Sequence, residues 1–267
     1  MKEKNRMVFA TNTNEAEKLT KVVEYFYGLF GWRRFDVSEL AFDRVRNRRL
    51  LRLQKELGLN EDSLHKYLTL LAQYGFFSQK SAGEYSISTQ GWLMTQPEPE
   101  ERNNLIFKAL VDNYKCSVRG IEMYPYRWIF RYFNDLGGHC SKLELGALFL
   151  ISSTTEYHDL ITRVRLSRER NCPEMVADIY NDYLKYGLVT RHDVRLIVVK
   201  DIARPTALLS SIGVIQKIDG KPRDEMVELS TGLRVSAKQN IILTEKGKEE
   251  ISNFMRYMTK TFANFNN

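Results

Sequence analysis

Side chains able to do covalent or metal chemistry are scattered along this chain of 267 residues. The histidines are His65, His139, His158 and His192, and they form neither an HExxH nor any other spaced ligand set. His139 stands beside Cys140 in a glycine turn, where a structural role is the expectation. Cys116, Cys140 and Cys172 are widely spaced and make no CxxC, which argues against a zinc finger and against a disulfide scaffold. Asp224, Glu225 and Glu228 are close together, but no lysine stands two residues after an acid there, and Lys246 follows Glu245 directly. A metal-dependent phosphodiesterase would need an Asp and a Glu-x-Lys-type pair on neighbouring strands, so that clustered carboxylates hold Mg²⁺ against the phosphate. No such set, Gly-rich phosphate loop or nucleophile elbow is present, and neither a catalytic residue nor a metal ligand is assigned.

Cations at helical spacing are a better lead. Arg44, Arg48, Arg52 and Lys55 are spaced 4, 4 and 3 residues apart, and on one straight helix they would form a stripe able to follow a phosphate backbone. Arg163, Arg165, Arg168 and Arg170 crowd the end of another helical run and are further phosphate candidates. The alternative in both places is an ordinary solvated helix face. The net charge of +7, from 40 Lys and Arg against 33 Asp and Glu, suits a polyanionic partner without requiring one. No apolar run follows the charged start Met1–Arg6, and none is long enough for a bilayer, so neither signal peptide nor membrane partner is expected. The unpaired cysteine usage makes the reduced cytoplasm the natural compartment.

These cations need a scaffold, and the stretch Leu50–Phe77 describes one. Leu50, Leu53 and Leu57 line one side of a short helix, and Gly58 ends it. Asn60 caps a second helix, whose Leu64, Tyr67, Leu68 and Leu71 again share a face. Two helices joined by a short Gly-containing turn make a helix-turn-helix, and the second is the one that enters a groove. Its outward His65, Lys66 and Thr69 are base-readout candidates. Glu61 and Asp62 at its start complement the helix dipole but would repel phosphate. Phe76–Ser88, with Gly83 as its turn, then reads as a hairpin, the wing. Upstream, Leu19, Val22, Val23, Phe26 and Leu29 mark an amphipathic helix.

Part of this pattern recurs. Leu209–Ile215 repeats the helix-stop-strand step of Gln73–Phe77, and Ile241–Gly247 repeats Ser86–Gly91, with a hydroxyl residue three before a glycine in both. A second winged helix with a longer wing is expected there, filled by three or four strands with Asp219-Gly220 and Thr231-Gly232 as turns and closed by a helix from Glu245 to Met258. Arg204-Pro205-Thr206 would open its helix, making Arg204 and Thr206 further base-readout candidates. The middle is α-rich: a linker around Pro97 and Pro99, an aromatic helix Tyr126–Leu136, a capping box at Ser141/Glu144, and a helix from about Thr155 to Arg170. Tyr186-Gly187-Leu188-Val189 reads as another helix stop running into a strand. The expected fold class is mainly α with small β-hairpins, in tandem winged-helix-like modules bounded at 1–96, 97–172 and 173–267.

The stretches MVFATNTNEAEKL, YGFF with GEYSIST, YRWIFRYFNDLGGHCSKLELGALFLISST leading to RVRLSRER, and IGVIQK resemble the DNA-recognition region of AlwI-like type IIS restriction and nicking endonucleases. The resemblance covers most of residues 7 to 255 and implies three winged-helix-like subdomains clasping a short asymmetric site on double-stranded DNA. It also implies a separate PD-(D/E)XK nuclease domain or subunit, and Mg²⁺ belongs only there; this chain departs from the family in showing no such catalytic set. The expected function is therefore sequence-specific DNA binding, by a monomer, as the recognition part of such an enzyme. A winged-helix transcriptional regulator, dimeric on a palindrome, and a winged-helix protein-interaction module are the alternatives.

Overall fold

The computed structural model describes residues 4–9, 16–36, 55, 61–96, 98–218 and 225–263. The chain forms two compact units: Ala10–Tyr114, and Lys115–Asn267 together with Met1–Phe9. Both are mainly helical with small antiparallel sheets.

In the smaller unit, helix α1 (Ala16–Phe30) buries Leu19, Val22, Val23 and Phe26, the stripe its periodicity predicts. Gly31, at φ +56°, ends it. The chain then turns into strand β1 (Phe35–Asp36), whose Phe35 ring stacks 4.0 Å from that of Phe30. Helix α2 (Glu61–Gln73) buries Tyr67, Leu68, Leu70 and Leu71. It stops at Gly75, φ +78°, where the Phe76 N–H donates back to the Leu71 carbonyl. Strands β2 (Phe77–Ser81) and β3 (Glu84–Ile87) form a hairpin, and β3 also pairs with β1, so the sheet order is β1-β3-β2. Helix α3 (Thr89–Leu93) follows at once. Of the first helix of the expected pair, Lys55 is described, while Leu50, Leu53, Leu57, Gly58 and Asn60 lie outside the described residues.

The expected boundary at 96/97 is corrected. Helix α4 begins at Pro99, two residues into the supposed linker, because a proline at N1 sacrifices no helical hydrogen bond. It runs to Asp112, buries Ile106, Ala109 and Leu110, and packs on α1. Asn113 then donates to the Tyr74 carbonyl at 2.8 Å, which ties this helix into the smaller unit.

The larger unit opens with hairpin β4 (Cys116–Val118) and β5 (Ile121–Met123), whose Arg119-Gly120 turn has positive φ at both residues. Helices α5 (Pro125–Asp135), α6 (Lys142–Leu148), α7 (Thr154–Glu169) and α8 (Glu174–Lys185) follow, with strand β6 (His139–Cys140) after α5. Ser141 and Glu144 form the expected capping box. The segment Lys4–Phe9 straps this unit: the Met7 N–H donates to Phe149, Arg119 donates to Lys4, and the Phe9 ring meets those of Tyr126 and Phe149.

No strand follows Gly187. Instead, Thr190 and Asp193 form a capping box, and helix α9 (Arg191–Leu196) starts there. A π-helical turn, Ile197–Asp201, carries it into α10 (Ala203–Ser211), so Arg204 lies inside a continuous helical run instead of opening a helix. Proline has no N–H to continue an i→i−4 ladder, and the wider turn just before it is one way to absorb Pro205.

Strands β7 (Ile215–Lys217) and β10 (Ile241–Leu243) flank a separate hairpin, β8 (Met226–Glu228) with β9 (Arg234–Ser236). Among the described residues, the stretch after Val214 holds four strands, and Gly232 makes the β8–β9 turn at φ +78°. Asp219 and Gly220 lie outside the described residues. Helix α11 (Glu245–Ala263) closes the unit. β10 pairs with β7 on one side and with β6 on the other, Ile241 opposite Cys140, giving the order β6-β10-β7. This pairing corrects the division into 97–172 and 173–267, because a sheet shared by residues 139–140 and 241–243 cannot belong to two modules.

Candidate nucleic-acid interface

The buried side of α2 dictates what its other side offers. With Tyr67, Leu68, Leu70 and Leu71 inward, Lys66, Thr69 and Gln73 fall at i, i+3 and i+7 and are all exposed. Gln73 was missed in the sequence because it abuts the helix stop. Beside this stripe, β2 buries only Phe77 and exposes Ser78, Gln79, Lys80 and Ser81. The side chain of His65, like Arg44, Arg48 and Arg52, lies outside the described residues, while Lys55 is exposed on a helical residue.

In the larger unit the sequence-derived candidates separate by burial. Thr206 is 2% exposed, and its hydroxyl donates to the Ile202 and Ala203 carbonyls, so this base-readout expectation is corrected: the group is spent inside its own helix. Arg204 donates to Asp201 at 2.9 Å and to the Phe9 carbonyl at 3.1 Å, which makes it a clamp on the N-terminal strap. Asp201 is 1% exposed and also accepts from the buried Arg6, whose Nε lies 3.5 Å from Asp193. Burial pushes the Asp201 carboxyl above its ordinary range, against the pull of Arg6 and Arg204.

The four arginines near the end of α7 do not act together. Arg168 places Nε and one terminal nitrogen on Glu144, and its other contacts are the Leu136 and His139 carbonyls and the His139 ring nitrogen Nε2 at 3.5 Å. It is a core tie, and its assignment as a phosphate contact is corrected. Arg163 pairs with Asp182 at 2.8 Å, and Arg165 donates to the Asp135 carbonyl at 2.8 Å with its residue still exposed. Arg170, at the helix end, is exposed.

The structure brings forward a different set. Arg191, His192 and Arg195 are exposed on the first turns of α9, with Lys200 further along. The signal for them was legible: Gly187 as a stop, then Thr190 three residues before Asp193.

Two of the three cysteines are buried thiols, Cys116 and Cys140. Burial pushes the Cys116 thiol up to about 11 and the Cys140 thiol well above its ordinary value, so both stay protonated near neutral pH. Among the described residues, no group of three His, Cys, Asp or Glu is placed to hold a metal ion. No helix among them is long and apolar enough to cross a membrane.

No protein-family model matches this chain, and no curated protein matches it either.

Proposed function

We propose that this chain binds double-stranded DNA with sequence preference through two winged-helix elements, as the target-recognition part of a type IIS restriction or nicking endonuclease. The observation that carries the reading is a shared construction: in each unit a helix leads through a left-handed glycine into a strand, a second strand returns, and that strand pairs with one from earlier in the chain. A winged helix has this order of helix, strand, reading helix and hairpin. Lys66, Thr69 and Gln73 on α2 would face a groove in the first element, with Gln79 and Lys80 of the wing on the adjoining backbone. Arg191, His192 and Arg195, at the start of the helical run that leads to Gly213, would form the second group. Both groups are polar, exposed and on or next to the helix that precedes the glycine stop. Two unlike reading helices on one chain suit an asymmetric site bound by a monomer, whereas a regulator on a palindrome would gain its second reading helix from a second copy. Phosphodiester cleavage would be supplied by a nuclease domain or subunit carrying its own Mg²⁺ site.

Fluorescence anisotropy with duplexes selected from a random pool tests this. The native chain should bind selected duplexes more tightly than random ones, and Lys66→Ala with Thr69→Ala, or Arg191→Ala with Arg195→Ala, should narrow that gap. Absence of any salt-dependent duplex affinity near ~50 mM salt would overturn the reading. A second reading, a protein-interaction module, draws on Trp32, which is 53% exposed with its ring 6.0 Å from that of Trp92, next to the 37% exposed Leu93. If Trp32→Ser abolished capture of a partner protein while duplex affinity was absent from the native chain, that second reading would replace the first.

A further inference from the structure

We propose that the outer face of α5 is a phosphate-binding row for double-stranded DNA that grips the backbone without reading sequence. It rests on the DNA-binding reading above and adds a surface that neither winged-helix element supplies.

The inward face of α5 is fully committed, with Tyr126, Ile129, Phe130, Tyr132 and Phe133 buried. What remains outward is an alternation of rings and cations one helical turn apart: Tyr124, Arg127, Trp128 and Arg131, all half-exposed. The Arg127 guanidinium lies 3.9 Å from the Tyr124 ring centroid, and the Lys115 ammonium lies 5.0 Å from the same ring. Arg131 sits 4.6 Å from the Tyr157 centroid and 5.9 Å from that of Trp128. At the far end of the helix, Arg165 reaches in from α7 to the Asp135 carbonyl. Lys115, Arg127, Arg131 and Arg165 are therefore strung along a helix of 11 residues, about 16 Å from end to end.

Two features point to a phosphate backbone. A guanidinium already seated over an aromatic ring gives up little further side-chain freedom when it meets a phosphate. The rings serve as seats for the cations: Tyr157 is 1% exposed, two cations lie over Tyr124, and Arg131 lies near Trp128. Among the described residues, Glu122 pairs with Lys115 at 2.8 Å, and Asp135 accepts from the Tyr157 hydroxyl at 2.6 Å and lies 3.7 Å from Arg131. Neither cancels the row. The Glu122 pair is solvent-exposed and weak, and the Tyr157 hydroxyl takes part of the Asp135 charge.

The experiment uses the full chain and a labelled duplex of random sequence, with affinity followed across a salt series. Arg127→Gln with Arg131→Gln should flatten the slope of log affinity against log salt by about two units, since each neutralised phosphate contributes roughly 0.9. The loss should be the same factor for selected and random duplexes. Arg127→Lys with Arg131→Lys, which keeps the charge, should retain the slope, and an unchanged melting temperature should accompany both variants. An unchanged slope in the Gln variant would overturn the row while leaving the DNA reading intact, provided Lys66→Ala with Thr69→Ala still narrows the gap between duplexes. No duplex binding by the native chain would remove both. Binding to phosphatidylserine vesicles through the same arginines, without duplex binding, would reassign the surface to anionic lipid.

Discussion

The junctions Gly75–Gly91 and Gly213–Gly247 share one hydrogen-bond pattern among the described residues and then diverge. Gly75 and Gly213 each end a helix at φ +78°. Ser88 donates to the Gly75 carbonyl at 2.6 Å and accepts from the Gly91 N–H at 3.0 Å; Thr244 donates to Gly213 at 2.6 Å and accepts from Gly247 at 3.0 Å. The backbone N–H of Ser88 and of Thr244 donates to the Phe76 and the Val214 carbonyl, both at 3.1 Å. A Cβ on Gly91 would stand 2.1 Å from the Phe76 carbonyl oxygen, and one on Gly247 would stand 2.0 Å from that of Val214. One hydroxyl thus closes the helix stop behind it and caps the helix ahead of it, and glycine is required because a helix crosses a strand end at backbone contact. The differences lie in what hangs on this knot. In the smaller unit the returning strand follows across Ala82-Gly83, whereas in the larger unit a second hairpin intervenes, the third strand comes from residues 139–140, and a strap carrying Arg6 is anchored to buried Asp201. The close-range geometry therefore recurs where the sequence spacing recurs, while the long-range connections are free to differ.

The largest effect should fall where the two units differ. Arg6→Ala leaves a buried carboxylate with Arg204 as its remaining partner and is expected to cost about 3–5 kcal/mol. Hydrogen exchange should locate the loss in the larger unit, around 191–211, and leave α1 and α2 unchanged; equal loss in the smaller unit would break the comparison. Where the units agree, Gly91→Ala and Gly247→Ala should each cost about 3 kcal/mol, because a backbone carbonyl has to move to admit the methyl group. Chemical denaturation should return similar values for both, and a difference of more than about 1.5 kcal/mol would show that the two knots are not equivalent. Ser88→Ala and Thr244→Ala should cost less, about 1–2 kcal/mol apiece, as expected for loss of an N-cap and its second hydrogen bond.

The smallest effect is an acid-side slope. Burial pushes the Glu156 carboxyl up, but the hydrogen bond from Arg119, the Ser152 N–H and the Arg119 charge outweigh it and hold the group below its ordinary value. A carboxyl lowered on folding stabilises the protein above the unfolded value of about 4.3, and that contribution is lost as pH falls through the folded value. Melting temperatures between pH 5 and 3 should therefore fall less steeply in Glu156→Gln. Glu17 of the smaller unit is also lowered, by its hydrogen bond and then its attraction to Lys21, but it lies in open solvent. Glu17→Gln should leave the slope unchanged.

The local grammar of this protein was set by its sequence. The Ser141/Glu144 box, the glycine stops and the cap that each hydroxyl places on the glycine three residues on involve partners within about five residues, so spacing alone specifies their geometry, and the apolar stripe of α1 follows from helical periodicity. The Thr190/Asp193 box is equally local, but Leu188 and Val189 just before it resemble the start of a strand and mask it. Tertiary structure alone decided the rest. Nothing in residues 97–172 announces that β6 pairs with a strand a hundred residues later, or that Pro99 begins a helix packed on α1. Nor could spacing reveal which arginines meet solvent: Arg168 and Arg204 share a residue type with Arg165 and Arg191, yet the first two are spent on internal carboxylates and carbonyls. Capping depends on neighbours along the chain, whereas the fate of a charge depends on which distant carboxylate the fold brings beside it.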